Sequence, residues 1–338
     1  MPTRPVSLAI VGATGALGRA ALELLPEADL DPSELRLFAS KRSAAERLEV
    51  DGEELPVGPV SPEAFRGVDL ALFFAPPAVA REWAPRAWAA GCAVVDASRA
   101  FRDDSGIPLV APWVNLEAAA GFRGRGLVAL ASGAAASLAP AALALAGVAG
   151  IEELSATVLS PAVAAGAAGV SQLEQETSDL MNGREPEPGD AIPYRLAYNI
   201  VPQVGTFLPD GRTDEEAGIE SDLRRLLGRP ALRARATAVR VPVFHGLTVL
   251  ARFLTTRPLP ADGARAALRG ARGLKLVDDP GERIYPMPML SLNDDAVLVG
   301  RVRADVDHRE VDLVATVDEL RGSAASALRI AERVAGQL

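Results

Sequence analysis

Apolar residues fall into two kinds of run along this chain. In the N-terminal part the runs are short and unbroken: SLAIVG (7–12), LRLFA (35–39), DLALFFA (69–75) and CAVVDAS (92–98). Runs of that length, bounded by turn or charged residues, predict strands. Between some of them the spacing is helical, in TGALGRAALELL (14–25) and VAREWAPRAWAAG (79–91). Strands alternating with helices predict βαβ units and a parallel sheet. Farther along, ELSATVLS (153–160), RARATAVRVPV (233–243), LTVLARFL (247–254), AVLVGRVRADV (296–306) and EVDLVATV (310–317) read as strands. Several alternate apolar with polar residues, which predicts a sheet with one face solvated or covered by a partner. PADGARAALRGA (260–271) predicts a helix crossing between two of these strands, and RGSAASALRIAERVAGQL (321–338) a closing helix. MNGREPEPGDAIP (181–193) is a polar loop rich in Pro and Gly. ALASGAAASLAPAAL (129–143) reads as a strand end, a tight Ser-Gly turn and the start of a helix. In α/β enzymes that junction often carries a reactive side chain; here it carries alanines.

Composition narrows the classes. The 338 residues are 49% hydrophobic, enough for a sizeable core in two domains. A net charge of −9 without a basic block excludes nucleic acid as the main partner. The single cysteine, Cys92, rules out an intrachain disulfide and fits a reducing, cytoplasmic setting. The start of the chain runs straight into a strand with no separate apolar leader, and apolar runs stop short of a membrane span. Neither a signal peptide nor a membrane partner is expected. The two histidines and the acids show no metal-ligand spacing.

VGATGALG places Gly12, Gly15 and Gly18 between a strand and a helix. Glycines there let the backbone turn sharply and let a phosphate approach main-chain N–H groups at the helix start. A purely structural tight turn is the other reading. Gly12, Thr14, Gly15, Ala16 and Leu17 are the candidate dinucleotide contacts of this turn. An NAD site usually has an acidic residue after the second strand, on the ribose hydroxyls. Here LRLFA is followed by Ser40, Lys41, Arg42 and Ser43. Two cations and two hydroxyls suit a 2′-phosphate, so NADP is the expected cofactor, with Ser40, Arg42 and Ser43 as candidate contacts.

Along nearly the whole chain the sequence resembles the aspartate-semialdehyde dehydrogenase family. The resembling segments are VGATGALG, LFASKRSA, DLALFFA, VVDASRAFRDDSGIPLVAPWVN, GVSQLEQET, IPYRLAYNIVPQVG, TAVRVPVF, DDAVLVGRVR and LRGSAASALRIAE. The resemblance implies an α/β fold: a Rossmann-like NADP-binding domain (1–130 and 318–338) and an α+β substrate and dimerisation domain (131–317). The sheet of the second domain would be mostly antiparallel or mixed. It also implies a homodimer. The family's reaction is the reductive dephosphorylation of aspartyl phosphate in amino-acid biosynthesis. A cysteine thiolate attacks the acyl carbon, a histidine handles protons, and two arginines hold the substrate's phosphate and carboxylate. Covalent capture divides a hard acyl reduction into easier steps.

The catalytic positions depart from that pattern. Ala134 stands at or beside the family's cysteine, and Leu247 where the histidine belongs, with Val249 where an acid belongs. Cys92 reads as a small buried hydrophobe. His245 lies two residues before Leu247; two residues apart on a strand share a face, so His245 is either a substitute or a partly buried structural histidine. Ser160 or Pro161 replaces the family's glutamine, Ala75-Pro76-Pro77 replaces an Ala-Gly-Gly loop beside the nicotinamide, and Ser326 replaces an asparagine. Arg102 matches the phosphate-contacting arginine and Arg240 the carboxylate-binding one; both could equally persist as structural ion pairs with Asp103 or Glu220. The chain is thus most like the Usg-type paralogues that lack the cysteine, a pseudoenzyme that binds NADP(H) or an anionic metabolite as a dimer. The alternatives are an NADPH-dependent reductase of another carbonyl, with Tyr194, Tyr198 and His245 as the available acids, and a non-catalytic subunit that pairs with an active paralogue.

Overall fold

The computed structural model describes residues 5–30, 32–43 and 46–338. The chain divides into two compact units, residues 1–132 with 320–338, and residues 133–319.

The first unit is an eight-stranded sheet. Its strands are β1 (Val6–Val11), β2 (Pro32–Ala39), β3 (Arg47–Val50), β4 (Glu53–Pro59), β5 (Leu70–Phe73), β6 (Ala93–Asp96), β7 (Leu109–Val110) and β8 (Leu127–Leu130), with helices α1 (Ala16–Leu24), α2 (Pro77–Ala89) and α3 (Pro112–Asn115) between them. The order is β3-β4-β2-β1-β5-β6-β8-β7. All neighbours are parallel except β3 with β4. β1, β5, β6 and β8 are buried at every residue, as their unbroken apolar runs require. In α1 the buried residues are Gly18, Ala21, Leu22 and Leu24, one face of a helix. Sequence-based reading did not anticipate the β3–β4 hairpin. Its turn is Asp51-Gly52, with φ of 51° and 80°, the left-handed pair that tight hairpins need.

The second unit opens with α4 (Gly133–Ala149) and contains β9 (Glu153–Ser160), α5 (Gly166–Met181), α6 (Asp214–Leu226), β10 (Arg233–Arg240), β11 (Leu247–Leu254), α7 (Ala261–Arg269), β12 (Leu274–Leu276), α8 (Pro288–Ser291), β13 (Val297–Asp305) and β14 (Glu310–Val317). Its sheet is mixed, ordered β10-β9-β11-β14-β13-β12. α4, α6 and α7 cover one face. The first half of α4, through Ala142, is buried nearly all round, and its alanines let it lie close to the sheet and to its neighbouring helices. Alternation leaves the other face polar, where Arg252 grips Asp312 with two hydrogen bonds of 2.7 and 3.0 Å. α6 starts on a reciprocal cap: Thr213 Oγ1 accepts from Glu216 N, and Glu216 accepts from Thr213 N. The last helix, α9 (Glu319–Ala335), begins two residues earlier than its periodicity suggested, which makes Glu319 its first residue. Beyond Glu319 it packs Ala324, Leu328 and Ile330 into the core of the first unit.

One close approach sets the geometry of the first unit's glycine turn. A side chain on Gly18 would begin 2.2 Å from the Gly12 carbonyl oxygen and 2.8 Å from Ala13 Cα. Both obstacles are backbone and cannot swing aside. Gly18→Ala is therefore expected to destabilise the protein by about 1–3 kcal/mol in urea unfolding. Thr213→Ala, which removes a cap without a clash, should cost about 1 kcal/mol.

Candidate functional site

The first unit's site lies where β1 is flanked by β2 on one side and β5 on the other, so that successive crossovers leave in opposite directions. Gly12 follows β1 with φ of 91°, and its N–H donates to Phe38 O at 2.8 Å. A cavity of about 520 Å³ opens over the strand ends. Gly12, Thr14 and Gly15 form its floor, Ser40 and Lys41 one wall, and Pro76, Val79 and Trp83 another. Ala16 and Leu17 begin α1 and sit outside the lining, as do Arg42 and Ser43. Ser43 N donates to Ser40 O at 2.9 Å, closing the turn that presents Lys41. Lys41 is thus the cation on the wall, and Arg42 is exposed beyond it. Trp83 and Glu82 escaped sequence-based notice because their helix read only as a crossover. Pro76 caps α2 and Pro77 occupies its first turn, a position where the missing N–H costs no helix hydrogen bond.

Arg102 is also in the first unit. Its Nε donates to Leu130 O at 2.8 Å, at the end of β8. Nearby Asp96 is fully buried; desolvation lifts its carboxyl above the ordinary range, while Ser98 and the Arg102 charge pull the other way. Cys92 is 0% exposed, and burial pushes its thiol up to about 11. Such a thiol is inert as a nucleophile.

In the second unit, strand register assembles a row of residues. Arg240 on β10 pairs with Ser160 on β9, and Leu247 on β11 pairs with Val317 on β14. Continuing the β9–β11 register by one residue sets Leu247 beside Ser160. The four strand ends thus carry Arg240, Ser160, Leu247 and Val317 in line, all buried. Arg240 is 7% exposed and donates from Nη1 to Ser160 Oγ and to Pro161 O, both at 2.8 Å. Desolvation holds its pKa below the ordinary value, opposed by the charges of Glu215 and Glu319. Among the described residues no carboxylate lies within ion-pair distance of it. The structural pairing with Glu220 does not form: Glu220 instead takes Arg212 at 2.7 Å and the Ala236 N–H at 3.2 Å. A buried guanidinium held only by neutral oxygens retains its attraction for an anion.

α4 starts beside that row. A side chain on Gly133 would begin 3.7 Å from Leu247 Cδ2 and 4.0 Å from Glu319 Cβ. Ala134 and Ala135 are buried in its first turn, and Ser137 Oγ donates back to Ala134 O at 2.9 Å. Neither alanine offers chemistry. His245 corrects two expectations. It is exposed, not partly buried, and it precedes β11 in an irregular turn rather than sharing a strand face with Leu247. Gly246, with φ of 91°, is the cause: the left-handed residue breaks the alternation between them. Tyr194 and Tyr198 are exposed. Among the described residues no cluster of His, Cys, Asp or Glu could hold a metal, and no helix is long and apolar enough to cross a membrane.

Glu319 was missed by sequence reasoning. One carboxylate oxygen, Oε2, accepts from Gly246 N at 3.1 Å and from Leu247 N at 3.0 Å. The other, Oε1, is inaccessible and has no hydrogen-bond partner among the described residues. Desolvation drives its pKa up to about 7, against the pull of the backbone donors and with a push from Asp318. The folded-state value is raised, so the stability it contributes is full below about 4.5 and is lost as pH rises through about 7. Glu319→Gln keeps the acceptor and removes the ionisation. It should match the parent protein in acid and exceed it above neutrality by on the order of 3 kcal/mol, read by urea unfolding at pH 5 and pH 8.

Comparison with known proteins agrees with this architecture. Residues 7–122 match the family model described as "Semialdehyde dehydrogenase, NAD binding domain", and residues 140–322 match "Semialdehyde dehydrogenase, dimerisation domain". An aspartate-semialdehyde dehydrogenase of Synechocystis is 36% identical, with 98% of each chain covered. One of Aquifex aeolicus is 34% identical, with 96% of each chain covered. The solved structure of aspartate semialdehyde dehydrogenase II from Vibrio cholerae, complexed with ASA, superposes with a TM-score of 0.93 at 33% identity, covering 98% of each chain. With both halves matched and full-length relatives above the identity at which family is secure, the chain belongs to the aspartate-semialdehyde dehydrogenase family.

Proposed function

We propose that this protein binds NADP(H) and a small carboxylate-bearing metabolite but does not carry out the acyl transfer of its relatives, as a homodimer of the Usg type. The observation that carries the reading is the pair of buried alanines, Ala134 and Ala135, at the start of α4. No other residue supplies the missing thiolate, because Cys92 is the one cysteine of the chain and its thiol is buried and raised to about 11. Without a nucleophile the remaining groups cannot restore a covalent step. The binding groups persist: the glycine turn with its cavity, the Ser40–Ser43 turn, and Arg102 and Arg240.

NADP preference is supported by Lys41 on the cavity wall and by the hydroxyl of Ser40 beside it. Gly12, Thr14 and Gly15 would take the pyrophosphate at the start of α1, with Ala16 and Leu17 supplying the first helical turn. Arg42, exposed, and Ser43, half-buried, lie on the same turn and would back the 2′-phosphate from outside the cavity lining. For the dimer, the polar outer face of the β10–β12 sheet, with its Arg252–Asp312 pairs, suits a second copy.

Two measurements test this. Titration with NADPH, followed by nicotinamide fluorescence, should show saturable binding that Lys41→Glu weakens by about tenfold for NADPH and far less for NADH. Incubation with aspartate semialdehyde, phosphate and NADP should give no nicotinamide reduction above the blank. Turnover approaching that of an active relative would overturn the reading.

A further inference from the structure

The outer face of the second unit's sheet holds a cavity of about 610 Å³. Register builds its floor. Arg235 on β10 pairs with Ser155 on β9, Ser155 with Arg252 on β11, Arg252 with Asp312 on β14, and Asp312 with Arg303 on β13. One row thus carries three guanidiniums and a single carboxylate. A fourth cation comes from a bulge. The β13–β14 register shifts between Gly300 and Arg303, and Arg301 takes a φ of 53° there. Asp278, its side chain fully enclosed, fixes the bulge: Oδ1 accepts from Arg301 N at 2.7 Å and Oδ2 from Arg265 Nε at 2.8 Å. Bulges re-aim side chains, and this one leaves Arg301 exposed in the cavity lining.

On this face the acceptors are committed and the donors are not. Asp312 accepts from Arg252 through both oxygens, at 2.7 and 3.0 Å, and from Arg303 at 3.3 Å. The acids at the margin are engaged as well: Glu310 with Arg252 at 3.0 Å, Glu153 with Arg233 at 3.4 Å, and Asp305 with His308 at 2.9 Å. Thr157 and Thr237 pair with each other in the next row and also line the cavity. Their hydroxyls, and the guanidiniums of Arg235 and Arg301, have no partner among the described residues. What the cavity lacks is an acceptor-rich anion, and guanidinium with hydroxyl is a donor set suited to phosphate. A second copy sharpens the need. A two-fold interface sets one patch against itself, so the imbalance of four arginines to one carboxylate is doubled as water is excluded.

We propose that this face is an oxyanion site completed by dimerisation: phosphate enters between two copies, and its uptake is linked to their association. This rests on the homodimer reading above. One phosphate accepts from Arg235, Thr157 and Thr237 at the β10 end of the row, and another from Arg301 at the β13 end. Four strand spacings of about 4.8 Å separate those ends, too far for one small ion to bridge. The sign of the salt effect follows. Copies held together by their own opposite charges would loosen as any salt is added. Copies that take up an anion tighten as phosphate is added, by mass action.

The test is sedimentation equilibrium of the whole protein at about pH 8, with inorganic phosphate replacing chloride at constant ionic strength. The dimer dissociation constant is expected to fall about tenfold for each anion taken up, once phosphate exceeds its own dissociation constant about tenfold. Arg235→Gln combined with Arg301→Gln should abolish that fall. In chloride the same variant should dimerise at least as well as the parent protein, because like charges have been removed. A dimer constant unmoved by phosphate overturns the proposal and needs no variant. A fall that the variant retains does the same, marking an adventitious ion only, held elsewhere on the chain. Loosening by chloride and phosphate alike as ionic strength rises overturns the proposal while leaving the homodimer reading intact. A monomer under every condition overturns both.

Discussion

The second unit depends on strand register. A shift of one residue between β9 and either neighbour would turn Ser160 or Leu247 to the other face of the sheet. Arg240 would then lose its two neutral acceptors and be left as a bare buried charge, which is among the costlier defects a core can hold. The same alignment sets the Gly246–Leu247 backbone opposite Val317, so that the chain leaving β14 brings Glu319 to those two N–H groups. Register is enforced in turn by alternation. Val158, Ala156 and Leu154 face inward on β9, as Val249, Ala251 and Phe253 do on β11.

The first unit is governed by a different constraint, the approach of backbone to backbone. Gly18 rests on the Gly12 carbonyl, and Gly12 itself leaves no room for a side chain against Phe74 and Ala75. These contacts fix the angle at which α1 leaves β1, and thereby the floor of the cavity. The cavity and the buried guanidinium offer binding groups, while the start of α4 carries two buried alanines. Binding and bond-making are separable demands on a fold, and a family fold carries no guarantee of the family reaction.

Much of the architecture could be read from the chain. The buried strands β1, β5 and β6 appear as unbroken apolar runs, and β9, β11 and β14 were bounded correctly by alternation. Other elements carried signals that went unused. Asp51-Gly52 marks a hairpin, and Thr213 with Glu216 spells a helix cap. What could not be read was tertiary. Period two tells which residues share a face but not which strand comes next, so the Arg240–Ser160–Leu247–Val317 row was invisible. His245 was misplaced because the alternation rule assumes extended backbone, and Gly246 is left-handed. Glu319 gave no hint at all, since an acid at the start of a helix is ordinarily a solvated one, favoured there by the helix dipole. Only its enclosure changes its character.

The inertness of Cys92 has a practical side. A protein whose one thiol is sealed at the start of a buried strand presents no native thiol to thiol-alkylating dyes. A cysteine introduced at any exposed site would be the sole point of attachment for a spin label or fluorophore. Distances within each unit, and their change when ligand is added, could then be measured without first removing a native thiol.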